Sequence, residues 1–210
     1  MPSNPLILIG GGPRSGKSTF ALALARRRGP RRLFIATAEA RDDAMRQRIS
    51  RHRAERGTDF DTIEEPLDLP GVIRAQTRRP DIPVRPDQRG LEKHGQECPC
   101  YGPDVVVIDC LTLWLTNLLL QRPDLDEVLS VVDELIAALA SRTCPIIMVT
   151  NEVGLGIVPE SELGRTFRDL AGLAHQRLAR AADEVYFSVL GSMLRIKPSL
   201  SLVDPAELGA

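Results

Sequence analysis

The octapeptide GGPRSGKS occupies residues 11–18 and matches the pattern G-x-x-x-x-G-K-[ST]. An apolar run at residues 6–9 leads into it, and an alanine-rich segment with helical spacing follows it. A strand would therefore deliver the backbone to a glycine-rich loop whose amide groups surround a phosphate, and the positive end of the helix dipole would add to the attraction. The pattern predicts that a nucleoside triphosphate binds to Gly11, Gly12, Pro13, Arg14, Ser15, Gly16, Lys17 and Ser18.

Two side chains of this loop and one distant acid are candidates for contact with the phosphates and their metal ion. Lys17 would reach the β- and γ-phosphates, and Ser18 would bind Mg²⁺. The acid is Asp109, which ends the apolar run at residues 105–108, where a carboxylate that organises Mg²⁺ opposite the loop is expected. Acids at strand ends also cap helices, but the upstream loop favours the magnesium role. We thus predict Lys17 as a catalytic residue, and Ser18 and Asp109 as ligands of a Mg²⁺ cofactor.

Short apolar runs alternate along the chain with segments of helical spacing. The runs predict buried strands at residues 6–9, 33–36, 105–108, 146–149 and 185–189. The intervening segments predict helices at residues 19–28, 43–56, 125–142 and 162–182. Such alternation is typical of an α/β fold in which helices flank a mostly parallel sheet.

The length, composition and net charge of the chain limit the number of domains and the kinds of partner that we expect. Its 210 residues, 43% of them hydrophobic, suffice for one sizeable core, so we predict a single phosphate-loop domain over residues 1–210. A formal net charge of −1 disfavours nucleic-acid or membrane partners and favours a small molecule. The first apolar run is too short to span a bilayer and lacks a basic flank, which predicts a cytoplasmic protein.

The periodic pattern fails between about residues 77 and 103, where five prolines are mixed with charged residues and glycine. This composition predicts a flexible surface insertion. The segment contains His94, Cys98 and Cys100, but a structural zinc site needs four ligands, so a solvated loop is favoured. The four cysteines of the chain show no framework that would predict disulfides.

The predicted helix at residues 43–56 carries a histidine flanked by arginines. On a spacing of 3.6 residues per turn, one face combines Met45, Arg48, Ile49, His52 and Arg56. The guanidinium groups can hold phosphate oxygens, and an imidazole beside them suits a nucleophile that attacks a nucleotide phosphate. Spacing alone, however, favours a solvated basic helix face with an incidental histidine.

A polar loop follows the predicted strand at residues 146–149 and would emerge at the carboxyl edge of the sheet, where α/β proteins bind ligands. The pattern leaves two roles open for Asn151 and Glu152, which are contact with substrate or magnesium-bound water and the capping of a turn. The sequence favours neither role.

Five segments together carry a pattern far more specific than the phosphate loop alone. They are GGPRSGKS at 11–18, FIATAEARDDAMRQRISRHRAERG at 34–57, TIEEP at 62–66, VVVIDCLTLWLTNLL at 105–119, and VTNEVGLGIVPESELGRTFRDLAGLAHQRLARAADEVYF at 149–187. Over most of its length the chain thereby resembles the bifunctional adenosylcobinamide kinase and adenosylcobinamide-phosphate guanylyltransferase family of cobalamin biosynthesis. The main departure is the stretch at 77–103, where family members often have a shorter connection.

The resemblance implies a RecA-like P-loop NTPase fold and two successive reactions. In the first, adenosylcobinamide would be phosphorylated on its aminopropanol hydroxyl by GTP or ATP. In the second, His52 would attack the α-phosphorus of GTP, release pyrophosphate and pass GMP to adenosylcobinamide phosphate, which gives adenosylcobinamide-GDP. The resemblance therefore overrides the prediction from spacing alone and makes His52 the second catalytic residue.

The resemblance also implies nucleotide contacts and an assembly. Beyond the phosphate loop, the GTP contacts would fall on Thr37, Ala38, Glu39, Arg53, Ala54, Glu55, Arg56, Glu64 and Asp109. The family tends to form homo-oligomers, and a trimer is the assembly that the resemblance implies.

Two other functions fit parts of the pattern. A P-loop kinase of another small metabolite would transfer the γ-phosphoryl group without forming a covalent nucleotide, and His52 would only bind phosphate. A non-catalytic GTP-sensing module would bind nucleotide without turnover. The segments at 34–57 and 151–159 favour the bifunctional enzyme over both alternatives by resemblance.

Overall fold

The computed structural model describes residues 2–77 and 102–203, in which an eight-stranded sheet has helices packed on both faces. The strands are β1 (Leu6–Gly11), β2 (Arg32–Ala36), β3 (Asp61–Glu64), β4 (Val105–Asp109), β5 (Ile146–Val149), β6 (Glu184–Val189), β7 (Ser192–Lys197) and β8 (Ser201–Val203). The helices are α1 (Lys17–Arg26), α2 (Asp43–Arg56), α3 (Leu69–Thr77), α4 (Leu111–Gln121), α5 (Leu125–Ala140) and α6 (Glu162–Ala181). The strand order is β3-β2-β4-β5-β1-β6-β7-β8.

The first six strands in chain order pair in parallel, and β7 and β8 extend the sheet as antiparallel strands at one edge. This arrangement confirms the predicted α/β fold with a mostly parallel sheet flanked by helices. All five predicted strands form, and the four predicted helices begin and end within two residues of their expected bounds.

Several elements form without a pattern that would have predicted them. The strand β3 lies at an edge of the sheet and has only Ile63 half buried, so no apolar run marks it. Pro70 and Gly71 interrupt the helical pattern at the start of α3. In α4, seven of the 11 residues are buried, so the helix is apolar on most sides and shows no period of 3.6.

Alternate residues of the central strands pack into two separate cores. On β1, Leu6 and Leu8 face the core that α3, α4, α5 and α6 complete, whereas Ile7 and Ile9 face the core that α1 completes. Strands buried on both faces explain the nearly continuous apolar runs in the sequence. No described side chain of α2 belongs to either core.

The parallel register aligns the strand ends that carry the predicted site. Ala36 of β2 pairs with Glu64 of β3 and with Asp109 of β4. Asp109 pairs in turn with Val149 of β5, which pairs with Ile9 of β1, two residues before the octapeptide. These positions therefore lie along the carboxyl edge of the sheet, where open α/β sheets bind their ligands.

The predicted insertion falls largely on residues 78–101, which lie outside the described residues together with His94, Cys98 and Cys100. The insertion and the single-domain boundary thus stay predictions. Of the two described cysteines, Cys110 and Cys144 are buried free thiols, and burial raises the pKa of Cys144 to about 11. Within the described ranges, no helix has the length and apolar character needed to cross a membrane.

Arg142 joins three parts of the fold at the amino edge of the sheet. Its Nε donates to the carbonyl of Asn4 at 2.7 Å, and its Nη1 donates to the carbonyl of Leu139 at 3.0 Å. Its Nη2 lies 2.6 Å from Oδ2 of Asp183, which also accepts from the backbone amide of Leu6. We expect Arg142→Ala to lower the free energy of unfolding, measured by urea denaturation, by about 3 kcal/mol, because the half-buried carboxylate loses its ion pair.

Arg177→Ala is the matched control for this variant. Arg177 pairs with Asp133, and both side chains of this pair are more exposed than those of the other pair: 35% for Arg177 against 15% for Arg142, and 59% for Asp133 against 31% for Asp183. An exposed ion pair contributes little, so we expect a loss below about 1 kcal/mol. Equal losses in the two variants would contradict the role given to Arg142.

Candidate nucleotide-binding site

The octapeptide loop joins β1 to α1 in a conformation that its glycines make accessible. Gly16 precedes α1 with a φ of 89°, in the left-handed region. At Gly11, with a φ of 153°, a Cβ would lie 2.9 Å from both Ser15 Oγ and the carbonyl oxygen of Ser188. The Ser188 hydroxyl donates to the carbonyl of Ser15. The loop is therefore held against β6 at the amino end of α1, where helix geometry favours a phosphate.

Lys17 is folded against the loop and not extended into solvent. Only 6% of the residue is exposed, and its Nζ donates to the carbonyl of Gly12 at 3.0 Å. Lys17, the half-buried Ser18 and the half-buried Asp109 line one cavity. The cavity contains about 630 Å³ of non-protein space, a figure that includes its opening to solvent.

A second wall of this cavity is formed by α2. The carboxylate of Asp42 caps the helix by accepting a hydrogen bond from the backbone amide of Met45 at 2.6 Å. The cavity residues from α2 are Met45, Ile49, His52 and Arg56. All four are buried or half buried. The spacing alone favours a basic helix face that is exposed to solvent, and the structure differs from that expectation. The side chain of Arg48 lies outside the described residues.

Arg56 is a buried cation in the wall of the cavity. Only 6% of the residue is exposed, and its guanidinium carbon lies 4.0 Å from the centroid of the Phe34 ring. A cation–π contact of this kind offsets part of the cost of removing the charge from water. Arg56 also borders an adjoining hollow with Glu64, whose carboxylate pairs with Arg53. Positive charge at this wall suits a ligand that carries phosphate.

The structure brings some of the predicted site residues to the cavity and leaves others away from its wall. Those that line it are Lys17, Ser18, Ala38, His52, Arg56, Glu64 and Asp109. The predicted residues Arg53 and Ala54 are exposed on α2, and Arg53 borders the adjoining hollow. The side chain of Glu55 lies outside the described residues.

Two predicted contact residues just after β2 make bonds within the protein. Thr37 is fully buried, and its hydroxyl donates to the carbonyl of Cys110 at 2.7 Å and accepts from the Cys110 amide at 2.9 Å. Glu39 forms an ion pair with Arg41 at 2.7 Å. Both residues therefore help to fix the loop between β2 and α2. Any contact with a nucleotide would be additional to these bonds.

Sequence reasoning missed the apolar part of the cavity wall. Phe34, Ala36, Cys110 and Leu113 line it beside the residues of α2. The sequence did contain a signal for Phe34 and Ala36. These residues and the predicted contact Ala38 are spaced two apart, which is the spacing that places side chains on one face of a strand. Such a surface suits a flat apolar group such as a nucleobase.

The structure separates the two roles left open after β5. Asn151 lines the cavity, and its backbone amide donates to Thr112 Oγ1 at 2.7 Å. Its buried Oδ1 has no hydrogen-bond partner among the described residues, which marks it as an acceptor for a ligand. Glu152 instead caps a turn, because its Oε1 accepts from the backbone amide of Gly154.

A half-buried histidine, His175, contacts the residue before Asn151 and is expected to give the fold a pH dependence. The Nε2 of His175 lies 2.7 Å from Thr150 Oγ1, and burial lowers the pKa of His175, although nearby Glu152 acts in the opposite direction. A histidine in the unfolded chain titrates near pH 6.5, so the unfolded chain binds this proton first as the pH falls. We expect the free energy of unfolding to decrease from about pH 7.5 to about 5.5, and to decrease less in His175→Gln.

Urea denaturation of both proteins at the two pH values measures this difference. The comparison uses the change in free energy with pH and not its absolute value, because His175→Gln also alters the bond to Thr150. The same pH dependence in both proteins would show that His175 keeps its ordinary titration on folding.

Comparisons with known proteins agree on one family. The family model described as cobinamide kinase / cobinamide phosphate guanyltransferase matches residues 7–84 and 89–196. The bifunctional adenosylcobalamin biosynthesis protein CobP of Pseudomonas aeruginosa is 40% identical over 194 residues, which cover 90% of this chain and 96% of that protein. The bifunctional adenosylcobalamin biosynthesis protein CobU of Salmonella typhimurium is 37% identical over 204 residues, which cover 91% of this chain and 99% of that protein.

Among solved structures, the chain is similar to the RadB recombinase. The TM-score is 0.50 at 14% sequence identity, and the match covers 95% of this chain and 86% of that one. At this identity the likeness concerns the fold alone. It confirms the RecA-like P-loop fold that the resemblance to the family implies.

Proposed function

This chain belongs to the cobinamide kinase / cobinamide phosphate guanyltransferase family, and from that premise we propose that one cavity serves both reactions and that His52 carries GMP between substrates. The protein is accordingly a bifunctional transferase of cobalamin biosynthesis. The observation that carries the proposal is that Lys17, Ser18 and His52 line the same cavity. A nucleotide held by its outer phosphates on the loop would thus present its α-phosphate to α2.

In the kinase reaction, the hydroxyl oxygen of adenosylcobinamide attacks the γ-phosphorus of GTP or ATP. The bond from that phosphorus to the β,γ-bridging oxygen breaks, and the hydroxyl proton is released. Lys17 would hold the β- and γ-oxygens and balance the charge that develops on the leaving diphosphate. The unpartnered Oδ1 of Asn151 would accept a hydrogen bond from the attacking hydroxyl.

Ser18 and Asp109 fit a site for Mg²⁺. Both are oxygen donors, and both are half buried in the wall of the cavity. Mg²⁺ commonly takes one or two protein ligands and completes its shell with phosphate oxygens and water. In keeping with this, the described ranges contain no group of three or more histidine, cysteine or acidic side chains that could hold a metal ion alone. When bound, the ion would neutralise phosphate charge and order the triphosphate.

In the guanylyl reaction, an imidazole nitrogen of His52 attacks the α-phosphorus of GTP. The nitrogen–phosphorus bond forms as the bond to the α,β-bridging oxygen breaks, and pyrophosphate leaves. A phosphate oxygen of adenosylcobinamide phosphate then attacks the same phosphorus and displaces His52, which gives adenosylcobinamide-GDP. Arg56, one turn further along α2, would hold the α-phosphate oxygens, and Lys17 would hold the leaving pyrophosphate. Two successive displacements predict ping-pong kinetics.

The apolar wall would hold the guanine base in this proposal. Phe34 and Ile49 offer aromatic and aliphatic surface, and Glu64 lines the same cavity. A carboxylate can accept two hydrogen bonds from the N1–H and 2-amino groups of guanine, whereas adenine lacks this pair of donors. The GTP contacts that the resemblance implies for Thr37, Ala38, Glu39, Arg53, Ala54 and Glu55 remain proposals of the same kind.

The test is incubation of the protein with Mg²⁺ and GTP labelled at the α-phosphate, followed by denaturation. A phosphoramidate on histidine is stable in base and lost in acid, and we expect the label on the peptide that contains residues 43–56. GTP labelled at the γ-phosphate is the control and should leave no label. Measurable GTP binding without α-label would refute the covalent mechanism, and turnover would then decide between a plain kinase and a nucleotide sensor.

We further infer that the protein works in the cytoplasm as a homo-oligomer, with a trimer expected from the resemblance. Exposed apolar side chains in the loop between β5 and α6 support an assembly. Leu155 is 82% exposed, Ile157 is 97% exposed and Val158 is 55% exposed. Exposed apolar side chains that cluster at a surface are commonly buried by a partner. Light scattering after size-exclusion chromatography would measure the number of chains.

A further inference from the structure

Asn117 is a buried amide on α4 whose polar atoms are all engaged. Only 4% of the residue is exposed. Its Nδ2 donates to the carbonyl of Thr37 at 2.9 Å and to the carbonyl of Pro66 at 3.2 Å. Its Oδ1 accepts from Arg41 Nη2 at 3.1 Å. Both donors and the acceptor of the amide are thus used, and they join α4 to two segments that are distant from it in sequence, the one between β2 and α2 and the one after β3.

The three partners flank the elements that carry the proposed guanylyl machinery. Thr37 follows β2, and Arg41 directly precedes the residue that caps α2. Pro66 follows β3, two residues after Glu64. Asn117 itself does not line the cavity, so it would act on the nucleotide site only through these segments.

The helix α2 is not held in place by a hydrophobic core. Among its described side chains, none belongs to a hydrophobic core, and only Arg56 is buried. A helix without a buried apolar stripe takes its position mainly from its ends. At the carboxyl end, Arg56 packs on Phe34 and Arg53 pairs with Glu64 of β3. At the amino end, Arg41 bonds to Asn117. His52 lies between these two fixed points.

We infer that Asn117 is a positioning residue for the guanylyl reaction, because it holds the segment between β2 and α2 against the end of β3 and so sets the place of His52. The inference rests on the proposed function, since its effect is measured through GMP capture. A displacement of about 1 Å in a reacting group can lower a rate by about 100-fold. The residues proposed for the kinase reaction are Lys17 and Ser18 of α1 together with Asp109 and Asn151, and the Asn117 side chain bonds to none of them.

Two variants of Asn117 test this inference. Asn117→Asp keeps the volume and the acceptor toward Arg41, but it replaces both donors with an oxygen that repels the carbonyls of Thr37 and Pro66. Asn117→Ala removes all three bonds. Thr116→Ala is the matched control, because Thr116 is the neighbouring residue of α4 and its hydroxyl donates to the carbonyl of Thr112 within the same helix.

We expect both Asn117 variants to slow the single-turnover labelling of His52 by α-labelled GTP by about 10- to 100-fold. The kcat/KM of the kinase reaction, measured on the same preparations, should stay within about 3-fold of wild type. Amide hydrogen exchange over residues 43–56 should become faster in both variants. Thr116→Ala should change none of these quantities.

Labelling at the wild-type rate in both Asn117 variants would overturn the inference. An equal loss of labelling and kinase activity would overturn it as well, because such a loss describes general destabilisation. These outcomes leave the proposed function intact as long as the wild-type protein is labelled. A wild-type protein that takes no label would instead refute the proposed function, and the inference with it.

Discussion

Replacing His52 by alanine is expected to abolish covalent capture of GMP and to lower the guanylyl reaction by about 10⁴-fold or more, because this side chain supplies the attacking atom. Phosphorylation of adenosylcobinamide should continue near the wild-type rate, since Lys17 and Ser18 belong to α1 and His52 to α2. The two activities are measured separately, with adenosylcobinamide and ATP for the kinase and with adenosylcobinamide phosphate and GTP for the guanylyl transfer.

Ser50→Ala is the control on the same helix. Ser50 is exposed and does not line the cavity, so both activities should be kept. Label that persists in His52→Ala would assign the nucleophile to another residue. Loss of the kinase activity in a folded His52→Ala protein would contradict the division of labour between α1 and α2.

Lys17→Met is expected to lower the kinase reaction by about 10³-fold or more, because the variant loses the charge that balances the leaving diphosphate. Methionine keeps most of the volume of a side chain that is 6% exposed, so the effect should come from the charge and not from a cavity. The guanylyl reaction should also slow, since Lys17 would hold the pyrophosphate that leaves. Steady-state rates of both reactions at saturating Mg²⁺ measure the effect.

Lys197→Met is the matched control, since it removes an equal charge far from the cavity. The Nζ of Lys197 donates to the carbonyls of Ala179, Arg180 and Ala182 at the end of α6. This variant should lose thermal stability while its specific activities stay unchanged. A Lys17→Met protein in which only the kinase reaction is slow would contradict the proposal of one cavity for both reactions. Lys17→Met would then affect only the kinase and His52→Ala only the guanylyl reaction, as expected for two separate sites.

The strands that could be predicted are the ones that are buried on both faces. Runs such as the one ending at Asp109 are apolar throughout because each residue faces one of two cores. The edge strand β3 could not be found in this way, although it carries Glu64, because three of its four residues are exposed. The resemblance alone singled out Glu64 for the site.

The residues of the candidate site also differ in whether the sequence could predict their role. The octapeptide loop was recognisable because its function depends on local backbone geometry, with Gly11 and Gly16 at positive φ. The role of the α2 face was not recognisable from spacing, since a basic face that lines a cavity and one that meets solvent have the same periodicity. Asn151 and Glu152 are adjacent in sequence, yet one lines the cavity and the other caps a turn.

By itself, the sequence determined the α/β fold, the phosphate loop and the family, because these depend on residues within one short segment or on motifs in fixed order. Only the tertiary structure decided that His52 and Lys17 share a cavity and that Asn117 ties α4 to the segment after β2. Asn117 and Thr37 are 80 residues apart, and their bond exists only because the parallel register brings β2 and β4 side by side. Contacts of this kind depend on how the elements pack, and packing is not encoded in the periodicity of any one element.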